Sequence, residues 1–204
     1  MLKATPESPR MFQSDFLDLF SRTHWSVVPI IFLPITSLML WYSAVRVDAG
    51  WLLSLAIAVA GFIGWTLTEY WLHRLFFHWQ PPGALGERMH FLVHGVHHEW
   101  PSDKYRLVMP PAVSISLYFI FLGIFYALFS LLNCTSYVWA WHAGFVVGYV
   151  FYDCVHYWLH HHTPKSAYWV KLKKNHMIHH FKDHDSRFCV SNMFWDKIFG
   201  TAGE

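Results

Sequence analysis

Three long stretches without a charged side chain limit most strongly what this chain can fold into. Residues 25–45, 49–68 and 107–152 contain no Asp, Glu, Lys or Arg. The first two match the roughly 20 residues with which a helix crosses a hydrocarbon layer. The third suffices for two crossings and is divided by a polar turn at residues 133–136. A chain of 204 residues is too short to bury this apolar length in a soluble core. We therefore predict four transmembrane helices, near residues 26–46, 49–72, 112–132 and 136–162.

The basic residues are distributed unevenly around these predicted helices. Fourteen of the fifteen Lys and Arg residues, Lys3 included, fall before the first helix, between the second and third, or after the fourth. Four crossings place these segments on one side, and basic residues favour the cytoplasmic side. We expect a multi-pass protein of the endoplasmic reticulum or a bacterial inner membrane, with both termini cytoplasmic. Residues 1–24 are predicted to be a cytosolic or interfacial segment, and residues 25–204 the membrane domain.

The composition excludes several other classes of protein. Hydrophobic residues make up 54% of the chain and charged residues 14%, which argues against intrinsic disorder. Three scattered cysteines do not form a disulfide framework. A formal net charge of +2 gives no reason to expect a nucleic-acid partner.

Histidine is the second unusual feature, because fourteen of the sixteen lie within residues 73–98 and 156–184. Residues i, i+3 and i+4 share one face of a helix, so each HxxHH motif is expected to aim three imidazoles at one small volume. The first pair is five residues apart, about 140° around an ideal helix, and needs a helix end or a curved segment to converge. Ten histidines form such motifs: His73, His78, His94, His97, His98, His156, His160, His176, His179 and His180.

The number and type of these side chains indicate a metal centre. Ten imidazoles are too many for one ion and suit two ions with about five nitrogens each. Imidazole binds iron, zinc, copper and nickel. Structural zinc sites have four ligands and usually include cysteine, yet no cysteine lies within a histidine motif. The sequence therefore predicts an all-α integral membrane protein with a cytosolic, histidine-rich helical cap that holds a dimetal site for redox chemistry.

Two carboxylates are candidates for orienting these ligands. Glu69 lies four residues before His73, and Asp153 lies three residues before His156. Metal-binding imidazoles usually donate their second N–H to a carboxylate, a carbonyl or water. We expect each carboxylate to orient the neighbouring histidine.

The motifs resemble those of the fatty acid hydroxylase superfamily, which includes sterol desaturases. The resemblance covers about residues 20–204 and is carried by EYWLHRLFFH at 69–78, HFLVHGVHH at 90–98, YDCVHYWLHH at 152–161, HMIHHFK at 176–182 and WDKIFGT at 195–201. PSDKYRLVMPP at 101–111 is similar to fatty acid 2-hydroxylases in particular.

This resemblance implies a four-helix membrane oxygenase that hydroxylates carbon 2 of a fatty acyl chain, free or in a ceramide-type lipid. The family's ligand positions coincide with the ten histidines. It implies two divalent metal ions, with iron expected in the active enzyme and zinc possible as isolated, and O2 as co-substrate. Many family members carry a fused cytochrome b5 domain. About 22 residues precede the first helix here, so we expect a separate cytochrome b5-like or ferredoxin-type donor with its reductase.

Two other functions remain open from the sequence. The same superfamily contains sterol and carotenoid hydroxylases and desaturases with related histidine motifs. A metal-transport or metal-storage membrane protein is the alternative that is not an enzyme. Transporter ligands usually lie near the membrane midplane, whereas the histidine motifs here fall at the predicted cytosolic ends of helices.

Overall fold

The computed structural model describes residues 8–47 and 49–203 of the chain, and its elements are all helices. Residues 1–7 of the predicted N-terminal segment, with Lys3 among them, lie outside the described residues. The helices are α1 Asp15–Phe20, α2 Val27–Trp41, α3 Trp51–Trp71, α4 Gly83–His90, α5 Val96–Glu99, α6 Pro111–Leu131, α7 Val138–His161, α8 Ala167–Phe181 and α9 Phe194–Ile198.

Helices form at all four predicted membrane positions, and three of them are long and apolar enough to cross a membrane. These three are Val27–Arg46, Trp51–Phe77 and Pro111–Leu131, and they indicate a membrane protein. The first two include the π-helical turns Tyr42–Arg46 and Leu72–Phe77. Helix α7 has 24 residues but contains several Trp, Tyr, Gly and His residues, which lower its hydropathy. A crossing by α7 stays a prediction.

Contacts between residues divide the chain into two compact units. The histidine unit comprises Met1–Trp25, Leu67–Pro110 and Tyr152–Glu204. The apolar unit comprises Ser26–Thr66 and Pro111–Phe151. All ten predicted ligands belong to the histidine unit.

Glycines let two helices of the apolar unit touch backbone to backbone. A Cβ atom at Gly144 of α7 would overlap the carbonyl oxygen of Ala58 in α3, and one at Gly61 would overlap the carbonyl oxygen of Trp141. A Cβ at Gly148 would lie 2.5 Å from the Cβ of Trp65. Gly144 and Gly148 form a GxxxG pattern, which permits close helix approach in membranes.

Aromatic rings fill the space beside this glycine contact. The ring centroid of Trp65 lies 5.1 Å from that of Phe145 and 5.3 Å from that of Tyr149. Phe32 of α2 meets Tyr149 edge to face at 5.6 Å. Such edge-to-face pairs are favourable beyond the area that they bury, so they stabilise the helices of this unit against one another.

A buried ion network fixes the N-terminal part of the histidine unit. The Asp18 carboxylate accepts hydrogen bonds from the Met11 amide at 2.7 Å, from Arg22 at 3.2 Å and from Arg106 at 2.9 Å. All three charged side chains are buried. Arg106 follows His98, the last histidine of the first HxxHH motif, by eight residues, so this network attaches the N-terminal segment to the chain beyond that motif.

Replacing Asp18 by alanine should lower the free energy of unfolding by about 3 kcal/mol, because the buried guanidinium groups lose their shared carboxylate. Titration with a denaturing detergent measures this change in the purified protein. Asp15→Ala is the matched control. Its side chain is 77% exposed and pairs with Arg10 at the surface, so the loss should be below about 1 kcal/mol. Equal losses for both variants would contradict the stabilising role of the network.

Candidate metal centre

The ten predicted histidines form two neighbouring clusters of five. Within each cluster, the potential ligand atoms lie within 4.8 Å of one another. The ring centroids of His98, in the first cluster, and His180, in the second, are 4.3 Å apart. The first cluster contains His73, His78, His94, His98 and His179, and the second contains His97, His156, His160, His176 and His180.

The distances between ring nitrogens fit ligands that share a cation. Two nitrogens at right angles, each about 2.1 Å from an ion, are about 3.0 Å apart. In the first cluster, the Nε2 atom of His94 lies 3.1 Å from that of His73 and 2.9 Å from that of His98. In the second, the Nε2 atom of His180 lies 3.0 Å from that of His97 and 3.2 Å from that of His176. Each cluster therefore fits a metal ion held by several Nε2 atoms.

The first histidine pair converges through a π-helical turn. The turn Leu72–Phe77 follows α3 directly, and the His78 amide bonds to the His73 carbonyl, five residues earlier. This wider turn brings residues five apart onto the same side, with ring centroids 5.0 Å apart. Such turns often occur at functional sites. The sequence predicted a helix end or a curved segment between the two histidines, and the structure has a π turn there.

The prediction that each HxxHH motif aims three imidazoles at one volume is wrong. His94 and His98 belong to the first cluster, whereas His97 belongs to the second. In α8, His176 and His180 belong to the second cluster and His179 to the first. Residues i and i+4 point about 40° apart around a helix, while i+3 and i+4 diverge by about 100°. Each motif therefore contributes to both clusters.

Burial favours the neutral form of several imidazoles in both clusters. Burial and neighbouring imidazoles lower the pKa of His78 to about 3 and that of His98 to about 2. The same causes hold the pKa of His94, His97 and His176 well below the ordinary value. A neutral imidazole offers the nitrogen lone pair that a metal requires.

The two candidate carboxylates have different surroundings. Glu69 is buried and accepts hydrogen bonds from the amides of Val190 and Ser191 at 2.9 and 2.8 Å. The Nδ1 atom of His73 lies 2.6 Å from the Phe188 carbonyl oxygen. Glu69 and His73 are thus joined through the segment around residue 188. Asp153 is buried one turn before His156 in α7, and its orienting role stays a prediction.

The spacing of the histidines did not reveal which groups hydrogen-bond the Nδ1 atoms of two imidazoles. These groups are the carbonyls of Ser186 and Phe188, which lie 2.7 and 2.6 Å from the Nδ1 atoms of His179 and His73. They belong to a segment without regular structure. Backbone acceptors are independent of side-chain type, so a residue pattern cannot reveal them.

Comparison with known proteins identifies the family of the chain. The family model for fatty acid hydroxylases matches residues 58–201. The dihydroceramide fatty acyl 2-hydroxylase FAH1 of Arabidopsis thaliana is 40% identical over 200 residues, which cover 97% of this chain and 81% of the relative. The fatty acid 2-hydroxylase of Homo sapiens is 35% identical over 212 residues, which cover 94% of this chain and 56% of the relative.

A solved structure agrees with this assignment. The structure titled full length scs7p, in which only the hydroxylase domain is visible, has a TM-score of 0.86 and 36% sequence identity. The match covers 98% of this chain and 72% of that chain. Hydroxylation of carbon is an oxidation, so hydroxylases of this kind are oxidoreductases. The chain belongs to the fatty acid hydroxylase family and is a hydroxylating oxidoreductase.

Proposed function

We propose that this chain is a membrane dimetal oxygenase that hydroxylates carbon 2 of a fatty acyl chain. The observation that carries the proposal is the pair of five-histidine clusters, in a chain 40% identical to a dihydroceramide fatty acyl 2-hydroxylase. The reaction consumes one O2, two electrons and two protons per acyl chain. One oxygen atom enters the C–H bond at carbon 2 as a hydroxyl group, and the other leaves as water.

Each cluster would hold one divalent metal ion, with the five histidines of that cluster as its ligands. Iron bound by these histidines would supply the redox chemistry that O2 activation needs, whereas Zn2+ has no redox chemistry of its own. Imidazole ligands bind either metal, so zinc can occupy the same positions in isolated protein. The chain's contribution is a set of mostly buried imidazoles at ligand spacing, whose neutral form leaves a lone pair for the metal.

The substrate is a fatty acyl chain, either free or within a ceramide-type lipid. The relatives described above carry these substrate classes in their names, which favours an acyl chain over a sterol or a carotenoid. Three helices long and apolar enough to cross a membrane suit an enzyme whose substrate is itself a lipid. We further propose that α7 is a fourth crossing, that residues 25–204 form the hydroxylase domain, and that both termini are cytoplasmic. The membrane is that of the endoplasmic reticulum or a bacterial inner membrane.

The electrons are proposed to come from a separate carrier protein. A cytochrome b5-like or ferredoxin-type donor, re-reduced by its own reductase, would deliver them one at a time. Purified chain should consume O2 with an acyl lipid only when such a donor and its reductase are present.

Expression in a host without 2-hydroxylated lipids tests the reaction. Lipid extracts should gain acyl chains with one additional oxygen, and fragmentation in the mass spectrometer should locate it on carbon 2. Growth under 18O2 should label that oxygen. Feeding a labelled free fatty acid or a labelled ceramide then separates the two substrate forms. Oxygen at another carbon, or on a sterol, would overturn the proposal.

A further inference from the structure

The segment of residues 186–191, called here the orienting loop, contacts the first metal cluster with its carbonyl groups. The Ser186 and Phe188 carbonyl oxygens lie 2.7 and 2.6 Å from the Nδ1 atoms of His179 and His73. A carbonyl oxygen only accepts hydrogen bonds, so Nδ1 carries the proton in both imidazoles. The lone pair is thereby left on Nε2, the nitrogen that faces the cluster.

Two buried carboxylates hold the amide groups of the same loop. Asp196 accepts hydrogen bonds from the amides of Phe188 and Cys189 at 2.9 and 3.0 Å. Glu69 accepts from the amides of Val190 and Ser191 at 2.9 and 2.8 Å. Asp196 and Glu69 are only 3% and 2% exposed. Four consecutive N–H groups are therefore anchored, and with them the direction of the Phe188 carbonyl, which shares its peptide unit with the Cys189 N–H.

The Phe188 side chain strengthens the link between the orienting loop and the first cluster. Its ring centroid lies 5.9 Å from that of His73, 5.7 Å from that of His78 and 5.7 Å from that of His179. A shift of this loop would therefore move both the hydrogen-bond acceptors and the aromatic surface on which three ligands rest.

The orienting loop does not support the second cluster, where His160 has its backbone hydrogen bond with Pro101. Within the part of the chain that the structure describes, the Nδ1 atoms of His156, His176 and His180 are buried and form no hydrogen bond. None of the loop's carbonyl contacts reaches a member of that cluster. The backbone acceptors of the two clusters thus come from different segments of the chain.

We propose that Glu69 and Asp196 are positioning residues for the first metal site, acting through the orienting loop, and that the second site is independent of them. The inference rests on the proposed pair of metal sites. Loss of the carboxylate support should weaken metal binding at the first site by about 10- to 100-fold, the usual effect of removing a group that orients a ligand. Binding at the second site should not change.

Conservative substitutions distinguish positioning from a general structural role. Asp196→Asn should weaken the first site. The two carboxylate oxygens of Asp196 accept from the amides of Phe188 and Cys189 separately. Whichever way the asparagine amide is turned, its NH2 group therefore faces one of these N–H groups. Glu69 binds both backbone amides with one oxygen, Oε1, and its other oxygen faces only the Ser191 hydroxyl. Glu69→Gln should therefore retain the first site, whereas Glu69→Ala should weaken it.

Metal titration of the full chain in detergent tests this assignment, with Co2+ as the spectroscopic probe and elemental analysis for stoichiometry. We expect two ions per wild-type chain and one tight plus one weakened ion for Asp196→Asn and Glu69→Ala. Asp18→Asn is the matched control, since this buried carboxylate of the same unit also accepts from a backbone amide but lies outside the loop's contacts. It should bind two ions with wild-type affinity.

Two backgrounds show which site is affected. In His156→Ala, which retains only the first cluster, adding Asp196→Asn should remove the remaining tight binding. In His94→Ala, which retains only the second, the same addition should have no effect. Unchanged binding by Asp196→Asn, or equal weakening in both backgrounds, would overturn the positioning role. A wild-type chain that binds fewer than two ions would instead overturn the proposed metal pair.

Discussion

Alanine at His97 or at His179 should abolish 2-hydroxylation, with product reduced at least about 100-fold. The two positions sample different clusters, since His97 belongs to the second and His179 to the first. Removing a residue that only orients a ligand lowers metal affinity or activity about 10- to 100-fold. Removing a ligand itself should therefore lower activity at least as much. The equal effect of the two variants would show that neither cluster suffices alone. Quantification of hydroxylated lipid per unit of membrane-inserted protein measures the loss.

His162→Ala is the matched control for these variants. It removes an imidazole from the same unit, but the side chain is exposed and lies outside both clusters. Product should stay near the wild-type amount. Full activity in either cluster variant would disprove the assignment of that cluster to the reaction.

Leucine at Gly144 should prevent the apolar unit from folding. The helix backbone at this position contacts the carbonyl oxygen of Ala58, and even a Cβ would overlap that atom. Backbone cannot move aside as a flexible side chain does, so overpacking here should cost about 3 kcal/mol or more for alanine alone. For leucine we expect loss of monodisperse protein in detergent, measured by size-exclusion chromatography of a fluorescent fusion.

Gly123 provides a control with the same chemistry. It also lies inside an apolar helix, α6, but a Cβ there would meet nothing within 4 Å. Gly123→Leu should yield wild-type amounts of monodisperse protein, and Gly123→Ala should be neutral or slightly stabilising because alanine favours helix over glycine. A well-behaved Gly144→Leu protein would show that α3 and α7 do not depend on this close contact.

The helical class and the ten histidines were accessible from sequence because both depend on repeated, local signals. Charge-free runs of membrane length reveal α2, α3 and α6, and the spacing of imidazoles selects the two clusters' members. The division of each HxxHH motif between clusters was not accessible. This division depends on which other helices surround the motif. The motif itself shows only which side chains lie near one face of its own helix.

The supports of the first cluster were also hidden, for a different physical reason. Glu69 was selected for its distance from His73 along one helix, but its hydrogen bonds go to amides more than 100 residues later in the chain. Asp196 also accepts hydrogen bonds from backbone amides, which lie seven and eight residues earlier in the chain. When a carboxylate binds backbone groups, the sequence contains no partner side chain that would indicate the contact.

The π turn between His73 and His78 also affects how ligand spacing should be understood. Such a turn is equivalent to one residue inserted into an α-helix, and it shifts the rotational phase of everything after it. Glu69, His73 and His78 can thereby follow one line along the helix at intervals of four and then five residues. Deleting a residue between the two histidines would leave them four residues apart, a spacing at which an ordinary α-helical turn aligns them. The π turn thus absorbs the extra residue and gives a five-residue spacing the ligand geometry that an α-helix gives to a four-residue spacing.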